Sequence, residues 1–285
     1  MADPAPVLVA SDLDRTLIYS AAALGLRGPD NRAPRLLCVE IHEGKPLSYV
    51  TETAAGLLPE LAAQALFVPT TTRTRKQYRR IQLPVPTPEF AICTNGGHLL
   101  VNGVSDPDWH RQVTDRLADE CAPLAEIRAH LARSADRSWL LKDRVAEDLF
   151  AYLVVDRALL PGSWLKDLAH WAGERGWTVS LQGRKVYVVP APLTKSAAVR
   201  EVARRTGARL TLAAGDSLLD ADLLLGADRG WRPGHGELAD EGWTAPQVTA
   251  LEETGVAAGE EILRRFIAAS TPAAPGGRPA VSGSS

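Results

Sequence analysis

The sequence predicts an α/β protein, a parallel sheet flanked by helices and interrupted by a smaller α+β insertion. Three observations carry this. Residues 7–11 (VLVAS) are short, β-branched and apolar at both parities, which suits a parallel strand buried on both faces better than a half-exposed antiparallel one. Strand-like and helix-like segments alternate near the start of the chain and again after Pro192, the grammar of a parallel sheet. Between 106 and 190 the order becomes helix, strand, strand, helix, strand, strand. These two copies of one unit fit a small antiparallel sheet with helices on one face.

The elements follow in order. VLVAS ends in charge at Asp12, Asp14 and Arg15. After a Gly/Pro-containing loop, residues 36–50 read as a hairpin whose turn is supplied by Gly44 and Pro46, projecting beside the end of the first strand. Thr51 or Thr53 caps a helix containing Pro59, and ALFVP (65–69) is a second core strand. Thr70, Thr71 and Thr72 then open a helix with Arg73, Arg75 and Lys76 in its first turns. FAICTNGGHLLVNG reads as two short strands around the turn-forming Asn95, Gly96 and Gly97.

In the insertion, a long amphipathic segment from Trp109 to Arg133 precedes strands near 138–145 and 149–155. A helix beginning near Pro161 and two strands joined by Gly183 complete it. Helix TKSAAVREVARRTG, strand RLTLAAG and helix SLLDADLLLGA restore the α/β alternation. The division is therefore 1–105 and 191–269 for the core, 106–190 for the insertion, and 270–285 for a Pro/Gly/Ser/Ala-rich disordered tail.

At 285 residues the chain has room for one large or two modest domains, at roughly 150 residues each. Its 32 Lys+Arg against 34 Asp+Glu leave a formal charge of −2, which argues against a nucleic-acid or membrane-surface binder but admits phosphate-sized ligands. Cys38, Cys93 and Cys121 are odd in number and show no metal-ligand spacing, so reduced thiols are expected. No signal peptide and no bilayer-spanning run of roughly 20 apolar residues is present, and a soluble, cytoplasmic protein is expected.

Asp-x-Asp means little alone, because it occurs at Asp12/Asp14, Asp106/Asp108 and Asp220/Asp222. Only the first follows a buried strand, at the edge where open α/β sheets place ligands, although a solvated turn explains the same letters. Asp216 and Asp220 follow a second core strand, and Asp216 or Ser217 is also a natural helix cap. Brought together, four carboxylates would repel strongly, and a divalent cation would resolve the conflict. An oxygen-only set without a His or Cys cluster favours Mg²⁺ over zinc. Lys195 follows the cap Thr194 into the first turn of a helix, where the macrodipole disfavours a cation, so an anion should lie nearby unless the stem carries the charge into water. The Thr70–Thr72 run reads either as an anion cradle at a helix start or as a plain cap.

The order of these pieces, DLDRTL, strand-Thr, Lys, then GDSLLDADLL, resembles the haloacid dehalogenase-like phosphatases over roughly residues 7–270. The insertion resembles the type C2 cap (αββαββ) of the Cof-like and sucrose-phosphatase-like branch, which commonly carries an Asn-Gly turn like ICTNGG. The resemblance implies a Rossmann-like, doubly wound core and a Mg²⁺-dependent phosphomonoester hydrolase. Asp12 would be the nucleophile that forms an aspartyl-phosphate, and Asp14 the acid and base. Thr71, with Thr70 in reserve, would hydrogen-bond the phosphoryl group, and Lys195 would stabilise its charge. Mg²⁺ would be held by Asp12, the Asp14 carbonyl and Asp216, with Asp220 bound directly or acting through a neighbouring ligand. Arg73 and Asn95 are candidate substrate-binding residues.

Two departures stand out: Arg15 replaces the usual Gly, and Leu219 replaces an Asn that often precedes the last acid. Trp139, Lys142, Arg144, Arg184 and Lys185 lie in or beside the insertion's strands, where each either meets a substrate or serves structure or solvation. The branch points to a small phosphorylated metabolite, a sugar phosphate. Arg15, Leu219 and the 36–50 hairpin also motivate a rival, a catalytically weak module that senses a phosphorylated ligand or docks a partner. A third reading is phosphoryl transfer between sugars.

Overall fold

The computed structural model describes residues 6–271. β1 (Val7–Ser11) is buried along its whole length, as its apolar residues of both parities require. β2 (Leu36–His42) and β3 (Lys45–Thr51) form the expected hairpin, but the turn is Glu43–Gly44, with φ of 50° and 72°, and Pro46 lies within β3. Positive φ at both positions matches the twist of the flanking strands, which is why two residues suffice. The register shifts on either side of Glu40, a bulge. Thr51 caps α1 (Glu52–Gln64), its Oγ1 accepting from Ala54 N at 3.0 Å, and Pro59 sits inside the helix without ending it.

After β4 (Leu66–Pro69) the expected helix starts later than Thr70–Thr72 suggested. α2 (Arg75–Tyr78) is capped by Thr74 in a capping box with Gln77, so the three threonines stay in the strand-to-loop segment. β5 (Phe90–Cys93) and β6 (His98–Val101) flank a 3₁₀ turn over Thr94–Gly96, and β7 (Val104–Ser105) adds a short third strand.

The single amphipathic segment expected from Trp109 to Arg133 is two helices, α3 (Pro107–Glu120) and α4 (Leu124–Ser134). Cys121 is extended and Pro123 caps α4; Ala122, directly before the proline, is the residue sterically driven out of the helical region, so α3 ends ahead of it. β8 (Leu140–Ala146), β9 (Phe150–Val155), α5 (Gly162–Gly173), β10 (Trp177–Gln182) and β11 (Lys185–Pro190) follow. The strands form an antiparallel sheet in the order β10-β11-β9-β8. Leu153, Val155, Val186 and Val188, at alternate positions, pack with Ile127 and Leu131 of α4 and Leu168 of α5.

The chain then returns through α6 (Lys195–Thr206), β12 (Leu210–Ala214), a 3₁₀ turn over Leu218–Asp220 and α7 (Ala221–Leu225). β13 (Arg229–Arg232), α8 (Glu237–Asp240) and β14 (Val248–Ala250), which the sequence pattern did not reveal, precede α9 (Val256–Ser270). Ser270 is a buried helical residue, so helix replaces the start of the expected tail, and 272–285 lie outside the described residues.

The main sheet is parallel, in the order β14-β13-β12-β1-β4. Val7 and Val9 pack with α1 and α9 through Leu58, Leu61, Ile262 and Phe266. Leu8 and Ala10 join a second cluster with Val199 and Val202 of α6 and Leu223 of α7. Helices therefore cover both faces. From β1 the chain moves to β4 on one side and later to β12 on the other. The carboxyl ends of β1 and β12 thus lie at a topological switch point, where such sheets open a crevice. Among the described residues no helix is long and apolar enough to cross a membrane.

Candidate active site

Asp12 leaves β1 directly, and its N–H still bonds to Ala214 O (2.9 Å), which holds the ends of β1 and β12 together. Asp216 lies two residues past β12, and the 3₁₀ turn brings Asp220 back beneath it. A Cβ at Gly215 would lie 2.3 Å from Asp220 Cβ, so only glycine permits this approach. Asp12, Asp216 and Asp220 are all buried, each offering a carboxylate oxygen within 4.8 Å of the others. Lys195, the first residue of α6, enters from the side. Its Nζ donates to Asp12 Oδ1 (2.6 Å) and Asp220 Oδ1 (2.5 Å) with no exposed surface of its own. The anion that its position in the helix called for is therefore a pair of carboxylates.

Burial, reinforced by the charges of Asp220 and Asp14, pushes Asp12 up to about 7 despite Lys195. Burial likewise raises Asp216 well above the usual range, with Asp12 and Asp220 adding to it. Burial would lower the Lys195 pKa, but the two carboxylates overcome it and hold the ammonium charged. Lys195, with Arg15 Nε 3.3 Å from Asp216 Oδ2, still leaves the three carboxylates under-compensated. All the donors are hard oxygens, which fits a Mg²⁺-type cation and not a thiophilic one. Asp220 is largely spoken for: Oδ2 accepts from Ser217 N (3.0 Å), Ser217 Oγ (2.7 Å) and Asp216 N (3.2 Å), and Oδ1 takes Lys195. Asp12 Oδ2 has a weaker partner, Thr16 Oγ1 at 3.3 Å.

Asp14 is held by a different cation. Arg73 Nε and Nη2 donate to its two oxygens at 2.6 and 2.7 Å, a bidentate pair. Burial would raise the Asp14 pKa, but the Arg73 charge and hydrogen bonds prevail and hold it down to about 2. Arg73 Nη1 in turn lies 2.8 Å from Glu40 of β2, so its guanidinium is occupied by protein carboxylates. Thr70 and Thr71 separate by chemistry. Thr70 Oγ1 donates to Val68 O (3.0 Å), whereas Thr71 Oγ1 accepts from Arg73 N (3.1 Å) and keeps its proton for another acceptor.

Asn95 sits behind this ring. Its N–H donates to Thr71 O (3.1 Å) and its side-chain amide to Leu193 O (2.7 Å), while Oδ1 is buried without a partner among the described residues. A Cβ at Gly96 would come within 2.2 Å of Thr194 O. The Asn-Gly turn therefore clips the Thr71 segment to the start of α6.

Arg15 has φ 64°, a region that favours glycine, and its Nε lies 3.3 Å from Asp216 Oδ2. Leu219 is buried in the apolar cluster beside α7. Of the insertion residues singled out from sequence, Trp139 is buried against Trp164 at 4.6 Å, and Lys142, Arg144 and Arg184 face solvent. Lys185 differs: Tyr187 is the main influence raising its pKa to about 12, and the Asp14 charge contributes after burial has opposed it.

Sequence reasoning did not find Glu40, Ser48, Glu147 or Glu237. Glu40 carried one signal, a lone carboxylate within the apolar strand LLCVEIH. Glu147 of the β8–β9 turn accepts from Thr94 Oγ1 (2.5 Å) and Arg75 Nε (2.7 Å), and Glu237 of α8 accepts from Ser180 Oγ (2.6 Å) and Leu181 N (2.8 Å). These bonds join the insertion to the core on two sides, and nothing local in the sequence marks them.

No protein-family model matches the chain, and no curated protein matches it in sequence. Solved structures do match in fold. The sucrose-phosphatase of Synechocystis sp. PCC6803 aligns with a TM-score of 0.65 at 16% identity, over 92% of this chain and 98% of that one. The C-terminal domain of the C. albicans trehalose-6-phosphate phosphatase aligns with a TM-score of 0.54 at 13% identity, over 93% of each chain. A HAD subclass IIB sugar phosphatase aligns with a TM-score of 0.52 at 13% identity, over 91% and 98%. With the parallel core, the switch point at β1 and β12 and the inserted antiparallel sheet, these likenesses identify the architecture as the haloacid dehalogenase-like (HAD) fold with an inserted cap.

Proposed function

We propose that the protein is a Mg²⁺-dependent phosphomonoester hydrolase that works through an aspartyl-phosphate on Asp12 and acts on a small phosphorylated metabolite, a sugar phosphate. The observation that carries this reading is the convergence of Asp12, Asp216, Asp220 and Lys195 at the switch point of the sheet. The phosphatases named above share the fold and lend it support.

In this reading Asp12 Oδ2 attacks phosphorus while Lys195 holds Oδ1 in place and offsets the charge of the incoming phosphoryl group. Thr71 donates its free hydroxyl hydrogen to a phosphoryl oxygen. Asp14, which Arg73 keeps ionised in the free protein, takes up a proton as substrate binds, gives it to the departing ester oxygen and afterwards takes the proton of the attacking water. Mg²⁺ would be held by Asp12, the Asp14 carbonyl and Asp216, and when bound it neutralises the phosphoryl oxygens. Asp220 acts behind them by fixing Lys195 and the 216–217 backbone. Residues 106–190 serve as the cap, excluding water and presenting Lys185 towards the Asp14 side.

The test is hydrolysis of p-nitrophenyl phosphate with Mg²⁺ and with EDTA. Turnover should need the metal, and Asp12→Asn should lose about 10³-fold or more. Turnover indifferent to EDTA or to Asp12→Asn would refute the mechanism. The contact between Arg15 and Asp216 favours a second reading, a module that binds a phosphorylated ligand without turning it over; binding without hydrolysis of any ester would establish that one.

A further inference from the structure

We propose that the β2–β3 hairpin belongs to the reacting machinery: Glu40, aided by Ser48, is a positioning residue that fixes the Arg73 guanidinium so that it aims the Asp14 carboxyl at the leaving oxygen. The inference rests on the phosphatase reading above.

Glu40 lies on a two-stranded hairpin at the periphery of the fold, yet it is 1% exposed. An alternating strand of such a hairpin has no folding need for a buried carboxylate, and burying one is costly unless it is paired. The bulge at Glu40 re-aims the side chain, the usual effect of an extra residue in a strand. Its partners account for the whole group. Oε2 accepts from Ser48 Oγ (2.7 Å) and faces Arg73 Nη1 (2.8 Å), and Oε1 accepts from Arg80 Nε (3.1 Å).

A guanidinium is rigid and planar, so holding Nη1 on Glu40 and Nη2 near Ser48 Oγ (3.3 Å) fixes the adjoining Nε–Nη2 edge. That edge carries both bonds to Asp14. The hairpin is itself anchored to the two segments it aligns. Tyr49 and Tyr19 exchange backbone bonds of 2.8 and 2.9 Å just beyond Asp14, and Gln82 N donates to Val39 O (2.7 Å) beyond Arg73. With its donors facing Asp14 and Glu40, Arg73 is not disposed to clamp a substrate phosphate. In the first half-reaction Asp12 Oδ2 bonds to phosphorus as the ester P–O bond breaks; Asp14, paired with Arg73 as a carboxylate in the free protein, takes a proton from solvent as substrate binds and passes it to the departing oxygen, and Arg73 holds the carboxylate that remains. In the second, that carboxylate takes a proton from water as the water oxygen bonds to phosphorus and the bond from Asp12 breaks, releasing inorganic phosphate.

Leaving-group dependence tests this, because p-nitrophenolate departs with little help from an acid and phenolate needs it more. With Mg²⁺ present, Glu40→Gln should reduce kcat/KM, which reports the leaving-group step, about tenfold more on phenyl phosphate than on p-nitrophenyl phosphate, and Asp14→Asn should show the same bias more strongly. Equal losses on the two esters would mean a merely structural hairpin, and no loss on either would mean no role. Both results overturn the proposal. Should Glu40→Gln not fold, Ser48→Ala removes one hydroxyl and should shift the same ratio about threefold; an unchanged ratio there also overturns it. A wild-type protein inert on both esters refutes the phosphatase reading itself, and the proposal falls with it.

Discussion

Among the described residues Lys195 is the one buried cation that meets Asp12 and Asp220 together, so its removal strands two buried carboxylates. Lys195→Met should therefore destabilise the metal-free protein by about 3–5 kcal/mol in denaturant titration, with Mg²⁺ restoring part of the loss. The same cluster predicts a pH dependence. Asp12 and Asp216 hold protons more tightly in the folded chain than in the unfolded one, so ionising them costs the folded state. Their contribution to stability falls as pH rises from the ordinary carboxylate range towards about 7. A cation requires the ionised forms and relieves that cost. The Mg²⁺-induced rise in Tm should accordingly be larger at about pH 7.5 than at about pH 5, and a rise equal at both would contradict the cluster's charge state. At this scale the sequence was legible where a residue type at a strand end has few uses. Context separated Asp12/Asp14 from Asp106 and Asp222, and the structure places those two elsewhere: Asp106 caps α3 through Asp108 N (2.9 Å) and Trp109 N (3.0 Å), and Asp222 accepts from Ser196 N (3.1 Å). Glu40 was illegible, because burial of a strand carboxylate depends on a bulge and on arginines far along the chain.

Elements place these groups through backbone geometry that side-chain patterns describe poorly. Gly215 lets the turn fold Asp220 against the end of β12, and Gly236, with φ 96°, lies so close to Asp216 that a Cβ would sit 2.6 Å from Oδ2. Gly215→Ala should therefore abolish the Mg²⁺-induced rise in Tm while α/β secondary structure persists in circular dichroism; an intact metal response would show that the turn has room. The same dependence on local geometry explains where the expected boundaries moved. Thr74 displaced Thr70–Thr72 as a cap because it alone has Gln77 three residues on to close the box. Pro123 split one long helix in two, and the hairpin turn settled on Glu43–Gly44, the pair able to adopt positive φ together. β13 and β14 escaped notice because they are four and three residues long, with little apolar pattern to betray them.

The whole molecule joins two sheets whose order was readable from the alternation of strands and helices, while the bonds between them were not, since they link residues far apart in sequence. Glu147 grips Arg75 and Thr94 on one side, and Glu237 grips Ser180 and Leu181 on the other. Arg75→Ala should loosen the cap, raising KM for a metabolite ester about three- to tenfold and hydrogen exchange over 140–155, with the Mg²⁺-induced Tm shift retained. The central claim is that this assembly serves to esterify one buried side chain. Acid quenching during steady turnover of p-nitrophenyl phosphate, followed by borohydride reduction and peptide mass spectrometry, tests it most directly, because an acyl phosphate is reduced to an alcohol. Homoserine at position 12, lost when Mg²⁺ is withheld, is the predicted result; turnover with position 12 unmodified, or with the reduced residue elsewhere, would contradict the account.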